Sequence, residues 1–496
     1  MDAEVDTEDG GPASSTAASP ARFPVLACYC ASSFLLAGAW NTLSPIFDVA
    51  AARFHVSSSA VAAVALSLNL TYLPGSLLAL YTTERLGLRF TLLLGSALQL
   101  LMCSLKWAGV ALAPSPHAAY GLLLCGQLIG GLGQPLVLNT VARLTQDWFP
   151  PNERDVATTI GFQASNAGAI LFNSLPAWVV RTPADLRLLF LAQLLAWPFV
   201  ILAMALCMAT DTPAMPPSSA TAAQWLRRQQ QHKALPPGTS PGAAAVAALV
   251  ADLKLLCAHR NFVLLTLSFS CTAGVAWALS TVEGPLIESC GYSPRVAGGA
   301  GALSLTGGLL SCIALAPWLR ASWEGREYLP LQRRLQLLCA ATTAVLMSNN
   351  RPLAQRQLLL SWALCGAAQG PLGPLTLEHA AAMTYPLAAD SSSAALFMAS
   401  NLASFIQTEL LQALLRSPAS ALCLSTLTPG AVLVTANVLL GCLFVWAMTP
   451  QTCAASAHVV QEQPLQRVGP AASDDDAPLL TQAHLRSSQP AEKMRL

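Results

Sequence analysis

The chain has 496 residues, of which 54% are hydrophobic and 10% are charged, with a formal net charge of +1. Soluble globular chains usually carry about 25% charged residues, so this composition excludes an ordinary soluble fold and favours an integral membrane protein. The near-zero net charge provides no field that would attract nucleic acid, and no nucleic-acid partner is expected.

The N-terminal segment, residues 1–22, is acidic and polar and begins MDAEVDTEDG. It has neither a basic start nor a short apolar core, which argues against a cleaved secretory signal or a transit peptide. We interpret it as a cytoplasmic tail.

Beyond this tail, apolar runs long enough to cross a bilayer, about 20 residues each, recur along the chain. They predict an all-α membrane protein with twelve transmembrane helices in two six-helix halves, 23–209 and 261–448. The polar, turn-rich stretch 210–260 predicts a cytoplasmic linker with a short surface helix before Asn261, and 449–496 a polar cytoplasmic tail. The predicted spans are 24–48, 59–82, 90–112, 118–143, 156–180, 187–209, 261–288, 295–318, 331–348, 355–385, 390–415 and 428–448.

Lys and Arg are more numerous in the loops on the N-terminal side of the predicted membrane than in the opposite loops. Since cytoplasmic loops carry an excess of these residues, both termini are predicted to be cytoplasmic.

Most of the 14 cysteines lie inside apolar runs, and no CxxC pair occurs. We expect small buried or lipid-facing residues rather than zinc ligands or a disulfide framework, and no metal site.

The loop between the second and third spans reads Glu84-Arg85-Leu86-Gly87-Leu88-Arg89. Glycine suits a tight turn, and Arg89 can pair with Glu84 or with a helix C-terminus. The acid-x-x-Gly-x-Arg spacing resembles the loop motif of the major facilitator superfamily. The resemblance implies two halves that rock around a midplane site. The alternative is an ordinary solvated loop.

Several longer stretches resemble the feline leukaemia virus subgroup C receptor-related family, which includes choline, ethanolamine and haem carriers. The resemblance covers roughly 24–448 and is most specific over Trp40–Ile46 and Gly126–Arg154, which includes Arg143; Glu378 stands seven residues before Tyr385-Pro386. The segment 291–317 is most similar to the less characterised branch of that family.

Two tryptophans, Trp40 and Trp277, lie mid-span in the first and seventh helices, which the pseudo-symmetry relates. Two aromatic faces across a cavity can hold a quaternary ammonium group. In the choline carriers the resemblance places a Trp and a Tyr in these two helices, and Trp40 matches the first. The alternative is that both pack against lipid or core.

Amides supply the polar part of the predicted site. Asn166 in the fifth span and Asn401 in the eleventh are again related by the pseudo-symmetry. The resemblance aligns each with a Gln that contacts substrate in the choline carriers, and Asn41, beside Trp40, is a further binding candidate. The alternative is that these amides tie helices together.

Away from the ends of the predicted spans, the charged residues are Lys106, Glu283, Glu378 and Glu409. Proton-coupled porters usually set carboxylates or His along a relay, which is not evident here, so uniport is favoured, with Glu409 the best counter-candidate. Glu378 is expected to brace an inner gate against Arg143 or another inner-loop base.

No Walker loop, zinc cluster or nucleophile elbow occurs, so we expect neither an enzyme nor a bound cofactor, and no catalytic residues are assigned. In the tail, Asp475–Leu480 fits an acidic dileucine signal for a sorting adaptor, which suits a plasma-membrane or endolysosomal location. The leading hypothesis is a facilitative carrier of choline or a related organic cation. The alternatives are a haem or other metabolite carrier and a non-transporting membrane receptor.

Overall fold

The computed structural model describes residues 19–38, 42–43, 46–218, 221–222, 225–226, 241–324, 328–349, 355–384, 387, 389–415 and 428–449. Trp40, Asn41 and the tail signal Asp475–Leu480 lie outside these residues. Within them the chain forms sixteen α-helices and no strand. They are α1 (Arg22–Leu36), α2 (Phe47–Phe54), α3 (Ser58–Arg85), α4 (Leu88–Ala111), α5 (Pro116–Leu138), α6 (Val141–Trp148), α7 (Pro151–Val179), α8 (Asp185–Cys207), α9 (Pro241–Ala258), α10 (Arg260–Glu288), α11 (Pro294–Glu324), α12 (Tyr328–Asn349), α13 (Gln355–Gln369), α14 (Leu372–Thr384), α15 (Ala389–Leu415) and α16 (Pro429–Trp446).

The helices form the two six-helix halves predicted from the sequence, and three spans are interrupted: α1 with α2, α5 with α6, and α13 with α14. The third break falls at Gly370-Pro371, where proline cannot donate a backbone hydrogen bond. The second falls at Asn139, whose side chain is fixed by α3. Its Oδ1 accepts a bond from the Tyr72 hydroxyl at 2.7 Å, and its Nδ2 donates to Ser76 Oγ at 3.1 Å.

Seven of the described stretches are long and apolar enough to cross a bilayer by length and composition alone. The spans that fall short of this test are interrupted, like α1 and α13, or richer in polar residues, like α3, α7 and α12. Polar groups within a bilayer need partners inside the protein, so the polar faces of these spans should pack against neighbouring helices. On α12, Gln332, Gln336 and Thr343 are accordingly buried.

The halves meet along two helix pairs that the pseudo-symmetry relates, α7 with α11 and α3 with α15. We call the end of the bundle where α3 ends and α7 begins the linker face, and the opposite end the far face. Helix α9 lies at the linker face and contacts α3, α10 and α15, so the segment between the halves touches both of them.

Cys290, in the turn between α10 and α11, is disulfide-bonded, whereas the other described cysteines are free. The expectation that the cysteines serve only as small packing residues is therefore wrong at this position. Cys290 follows the end of an apolar helix rather than lying inside one, so the compositional argument did not apply to it.

Small residues allow α11 and α13 to approach closely. An added Cβ at Gly366 of α13 would overlap the backbone oxygen of Ser304 in α11, which cannot move aside as a flexible side chain could. By contrast, a Cβ at Gly299 on α11 would meet nothing within 4 Å. Membrane helices pack through such small-residue contacts, since lipid supplies little hydrophobic force between them.

We predict that Gly366→Ala lowers the thermal unfolding midpoint in detergent, because overpacking costs about 1–3 kcal/mol. The matched variant Gly299→Ala should leave the midpoint unchanged or raise it, since Ala is favoured over Gly in a helix by up to about 1 kcal/mol. Equal shifts in the two variants would contradict the close helix contact.

Candidate functional site

Two adjoining cavities, of about 120 and 60 Å³, lie in the middle of the bundle and share Phe162, Asn166 and Trp277 in their walls. The larger cavity extends between α10, α11 and α13, where Trp362 and Gln369 line it. The smaller one extends toward α1, α3 and α15. Three of the sequence-predicted binding residues thus meet at one place, since Asn401 also lines the smaller cavity. Trp40 and Asn41 remain predictions.

Parallel aromatic rings connect the halves across these cavities. Phe397 of α15 stacks with Trp277 of α10 at 6.4 Å between ring centroids and with Phe162 of α7 at the same distance, with interplanar angles of 17° and 16°. Phe269 meets Phe397 edge-on at 6.5 Å. These separations lie in the range where aromatic pairs attract beyond their burial.

Sequence reasoning missed Phe162 and Phe397, although a signal for both exists. Phe162-Gln-Ala-Ser-Asn166 in α7 and Phe397-Met-Ala-Ser-Asn401 in α15 repeat one pattern, F-x-A-S-N, in the two halves. Residues four apart lie on one helix face, so each copy presents a ring and an amide together. Comparing the fifth span with the eleventh would have found the rings.

Within the described residues, neither amide forms a direct hydrogen bond to another helix. Asn401 Nδ2 donates to the backbone oxygen of Phe397 on its own helix at 2.9 Å, and Asn166 Nδ2 donates to Gln163 Oε1, also on its own helix. Among the hydrogen bonds of the described residues, the carbonyl oxygens of both Asn side chains accept none. Gln163 is the amide that reaches across, with Nε2 donating to Gly308 O in α11 at 3.4 Å. Asn166 and Asn401 can therefore offer acceptors to a ligand.

Two further amides line the smaller cavity, Asn69 of α3 and Gln134 of α5. The glycines of α5 also serve helix packing, because an added Cβ at Gly131 would overlap the Thr71 hydroxyl of α3.

A cluster of charges joins the halves at the linker face. Arg143 of α6 is buried, and its guanidinium pairs with Glu84 of α3 and Asp147 of α6, each at 2.8 Å. It also reaches Asp390, in the first turn of α15 in the second half, at 3.5 Å. Asp147 and Asp390 are almost fully buried and were not predicted. We call Glu84, Arg143, Asp147 and Asp390 the Arg143 cluster.

Helix α9 closes over this cluster. The Ser391 hydroxyl, next to Asp390, donates to Asp252 of α9 at 3.3 Å. Burial raises the pKa of the Asp252 carboxyl, the bond from Ser391 opposes that rise, and the charges of Glu84 and Asp390 add to it. Asp252 therefore adds a fourth carboxylate to the surroundings of the Arg143 guanidinium.

The loop motif forms a tight turn. Gly87 adopts φ 90°, which favours glycine, and an added Cβ there would overlap the Asp211 carboxylate. Asp211, just after α8, accepts the backbone N–H of Arg89 at 2.7 Å. The Arg89 guanidinium donates to the backbone oxygen of Ala205 near the end of α8 at 3.2 Å. Arg89 was expected to pair with Glu84 or with a helix C-terminus. It binds the C-terminus of α8, since Glu84 pairs with Arg143.

The pairing of Glu378 with Arg143 is wrong. Glu378 of α14 instead interacts with Arg154 and Thr158 of α7. Its basic partner is therefore another residue of the inner loops, which was the second expectation. Three carboxylates already surround Arg143, and α14 packs against α7. Glu378 thus adds a separate contact between the halves at the linker face.

Comparison with known proteins agrees with this architecture. A sequence profile of the Major Facilitator Superfamily matches residues 29–408. The D-xylose-proton symporter has a TM-score of 0.64 at 16% identity, covering 87% of this chain and 98% of that chain. The fucose:proton symporter FucP of E. coli has a TM-score of 0.61 at 15% identity, covering 87% of this chain and 100% of that chain. At this identity the likeness shows the fold alone.

Sequence relatives are more specific. Solute carrier family 49 member A3 of Danio rerio is 26% identical over 397 residues, 79% of this chain and 78% of that protein. The choline/ethanolamine transporter FLVCR2 of Homo sapiens is 26% identical over 312 residues, 61% of this chain and 55% of that protein. The chain therefore belongs to the Major Facilitator Superfamily of membrane transporters, and its relatives include the feline leukaemia virus subgroup C receptor-related proteins.

Proposed function

We propose that the protein is a facilitative carrier of choline or a related hydroxylated organic cation, working by alternating access between the linker face and the far face. The observation that carries the proposal is the repeated ring-and-amide pair, Phe162 with Asn166 and Phe397 with Asn401, beside Trp277. Aromatic faces and a few oriented polar groups are what a small quaternary cation requires.

The lack of charged side chains in the walls favours a cation over an anion as the substrate. No charged side chain lines either cavity within the described part of the chain. A cation can be held there by ring faces at about 0.5–2 kcal/mol each, whereas an anion would need a basic partner. Haem, with its carboxylates and its need for an axial donor, fits these walls poorly. His379 lies elsewhere, stacked on Tyr328 at 5.5 Å.

The amide oxygens support a hydroxyl on that cation. Asn166 and Asn401 each use an N–H donor within their own helix and keep the side-chain oxygen as an acceptor for the cavity. A hydroxyl donor on the substrate would satisfy one of them at about 0.5–1.5 kcal/mol net. Choline and ethanolamine, the substrates in the name of the relative FLVCR2, each carry one hydroxyl and one cationic nitrogen.

The Arg143 cluster supports alternating access. Arg143 joins α3 and α6 of the first half to α15 of the second, so opening the linker face requires its contact with Asp390 to break. We therefore assign Glu84, Arg143, Asp147 and Asp390 to the gate at the linker face.

The disulfide at Cys290 supports the predicted orientation. Disulfides persist in oxidising compartments, so the far face, which carries Cys290, is assigned to the extracellular or lumenal side. This assignment agrees with the excess of Lys and Arg in the loops on the linker side, and it leaves both termini cytoplasmic. The plasma membrane and the endolysosomal membrane both satisfy it.

We predict that Trp277→Ala lowers saturable uptake of labelled choline into proteoliposomes roughly 2- to 30-fold at low substrate, which corresponds to one lost cation–π face. Trp277→Phe should retain most of the flux, since it keeps a ring. The control is Trp178→Ala, a side chain 71% exposed on the outside of α7. Absence of flux in the wild type, or equal flux in the Trp277 and Trp178 variants, would refute the proposal.

We predict that Asn401→Ala weakens competition by choline roughly 2- to 13-fold and leaves competition by tetramethylammonium, which lacks the hydroxyl, within about twofold. Asn166→Ala should act in the same direction. Competition against labelled substrate in proteoliposomes measures both ligands on one preparation. If competition by choline and by tetramethylammonium weakens equally, the amides shape the cavity and do not bind the substrate hydroxyl.

We predict that Asp390→Asn populates a state open at the linker face, since a bond to a charged group contributes about 1.5–3 kcal/mol. Spin labels at Leu86 in the first half and Arg334 in the second, with exposed native cysteines replaced, would report a longer distance. The matched control is Glu153→Gln, which breaks the 3.0 Å pair with Arg22 inside the first half. Identical distance distributions in the two variants would exclude Asp390 from the gate.

A further inference from the structure

Beyond the cavity walls, one acidic side chain of α10 stands at the far end of the larger cavity. Ala276 and Ser280 of α10 line that cavity, and Glu283 continues the same helix face, seven and three residues further on. Because α10 runs from the linker face to the far face, Glu283 lies on the far side of the lining residues. Its side chain is only 4% exposed.

The neighbouring helix provides a notch for this carboxyl group. Ser304 and Gly308 of α11 line the same cavity, and Gly301 continues their face toward the far end. An added Cβ at Gly301 would overlap both carboxyl oxygens of Glu283. The glycine therefore makes the room that the carboxyl group occupies, and the two helices meet there across Glu283.

Within the described residues, Glu283 Oε2 is buried and has no hydrogen-bond partner. The elements packed against α10 bring few charges to this level. Glu288 on α10 and Arg295 on α11 are exposed toward the far end, and Glu409 on α15 is exposed on the outside of the bundle. The described part of α16 carries no charged side chain. On α9 and α14, Asp252, Glu378 and His379 lie toward the linker face.

None of these groups forms an ion pair with Glu283 within the described residues. An ionised carboxylate in a membrane interior needs water, hydrogen-bond donors or a cation around it, whereas a protonated carboxyl group does not. Within the described residues, the closed notch offers Oε2 of the ionised form neither a hydrogen-bond donor nor a cation. Ionisation therefore requires the notch to open and admit water.

We propose that Glu283 is a proton-binding site that controls closure of the cavity at the far face. With the notch open, the carboxylate takes one proton from water at that face. The neutral carboxyl group then fits against Gly301, and α10 and α11 close over the cavity. When the notch reopens, the proton returns to the same face, so the site regulates a facilitative cycle without driving it.

This role makes transport depend on pH in a stated direction. Only the protonated form closes, so the closing population, and with it the flux, falls as pH rises. For a single group the fall is about tenfold for each pH unit above its titration midpoint. The pH-dependent flux rests on the proposed function, whereas proton binding at Glu283 does not.

The test measures choline flux in proteoliposomes with equal pH inside and out, across a pH series, for wild type, Glu283→Gln and Glu409→Gln. Glutamine resembles the protonated carboxyl group in shape and charge, so Glu283→Gln should transport at every pH with no pH-dependent fall. Glu409→Gln, the matched lipid-facing control, should follow the wild type. A Glu283→Gln profile that falls with pH as the wild type does would overturn the proposal.

Infrared difference spectra of the same purified proteins separate the two proposals. A carboxylic-acid carbonyl band that titrates in wild type and Glu409→Gln, disappears in Glu283→Gln and shifts in Glu283→Asp supports proton binding even if choline is not the substrate. Failure of choline flux together with this band refutes the substrate and keeps the proton site. A titrating band that neither Glu283→Gln nor Glu283→Asp changes would overturn the assignment of the proton site to Glu283.

Discussion

The bilayer supplies no water to the chain, and this constraint decides where every polar group can lie. Backbone groups are satisfied by helices, and polar side chains must find partners inside the bundle. The break at Asn139 is tolerated because Tyr72 and Ser76 bind its amide. Side chains that keep free bonding capacity are therefore informative, and they include Asn166 and Asn401 in the cavity walls and Glu283 beyond the larger cavity.

The halves repeat one another at the centre and differ at the two faces. In the centre, the F-x-A-S-N pattern gives α7 and α15 the same ring and amide on one helix face. At the linker face, the Arg143 guanidinium of α6 pairs with Asp390 of α15. At the far face, α10 supplies Glu283 and α11 a glycine notch. Symmetric contacts can stay in place in both orientations of a rocking cycle, whereas asymmetric ones favour one orientation each.

The membrane-spanning helices could be predicted from the sequence, because an apolar run of about twenty residues fits few structures other than a transmembrane helix. Sequence reasoning reached Trp277, Asn166 and Asn401 through family resemblance together with the pseudo-symmetry of the halves. It missed Phe162 and Phe397, since a phenylalanine in an apolar span is unremarkable until the two halves are compared. It missed Asp390 because the partner, Arg143, is 247 residues away and only the assembled fold brings them together.

The error at Glu378 has the same origin as the missing Asp390. A buried arginine clearly needs an acid, and Glu378 is an acid near the correct membrane depth. Depth along a span can be read from a sequence, but the rotational setting of a helix within the bundle cannot. Helix α14 turns Glu378 toward α7, where Arg154 receives it. Helix α15 turns Asp390 toward Arg143. The sequence alone could not show whether Glu378 or Asp390 is the acid that pairs with Arg143.

Helix α15 is the element that can connect substrate binding to the gate. Asp390, Phe397 and Asn401 stand at positions i, i+7 and i+11, which places all three on one face of a continuous helix. At 1.5 Å per residue, the ring and the amide lie about 10 and 16 Å from the carboxylate. In the proposed cycle, a cation that draws Phe397 and Asn401 toward α10 and α7 also moves Asp390 relative to Arg143. Because a helix transmits displacement as a rigid body, no further relay between the site and the gate is required.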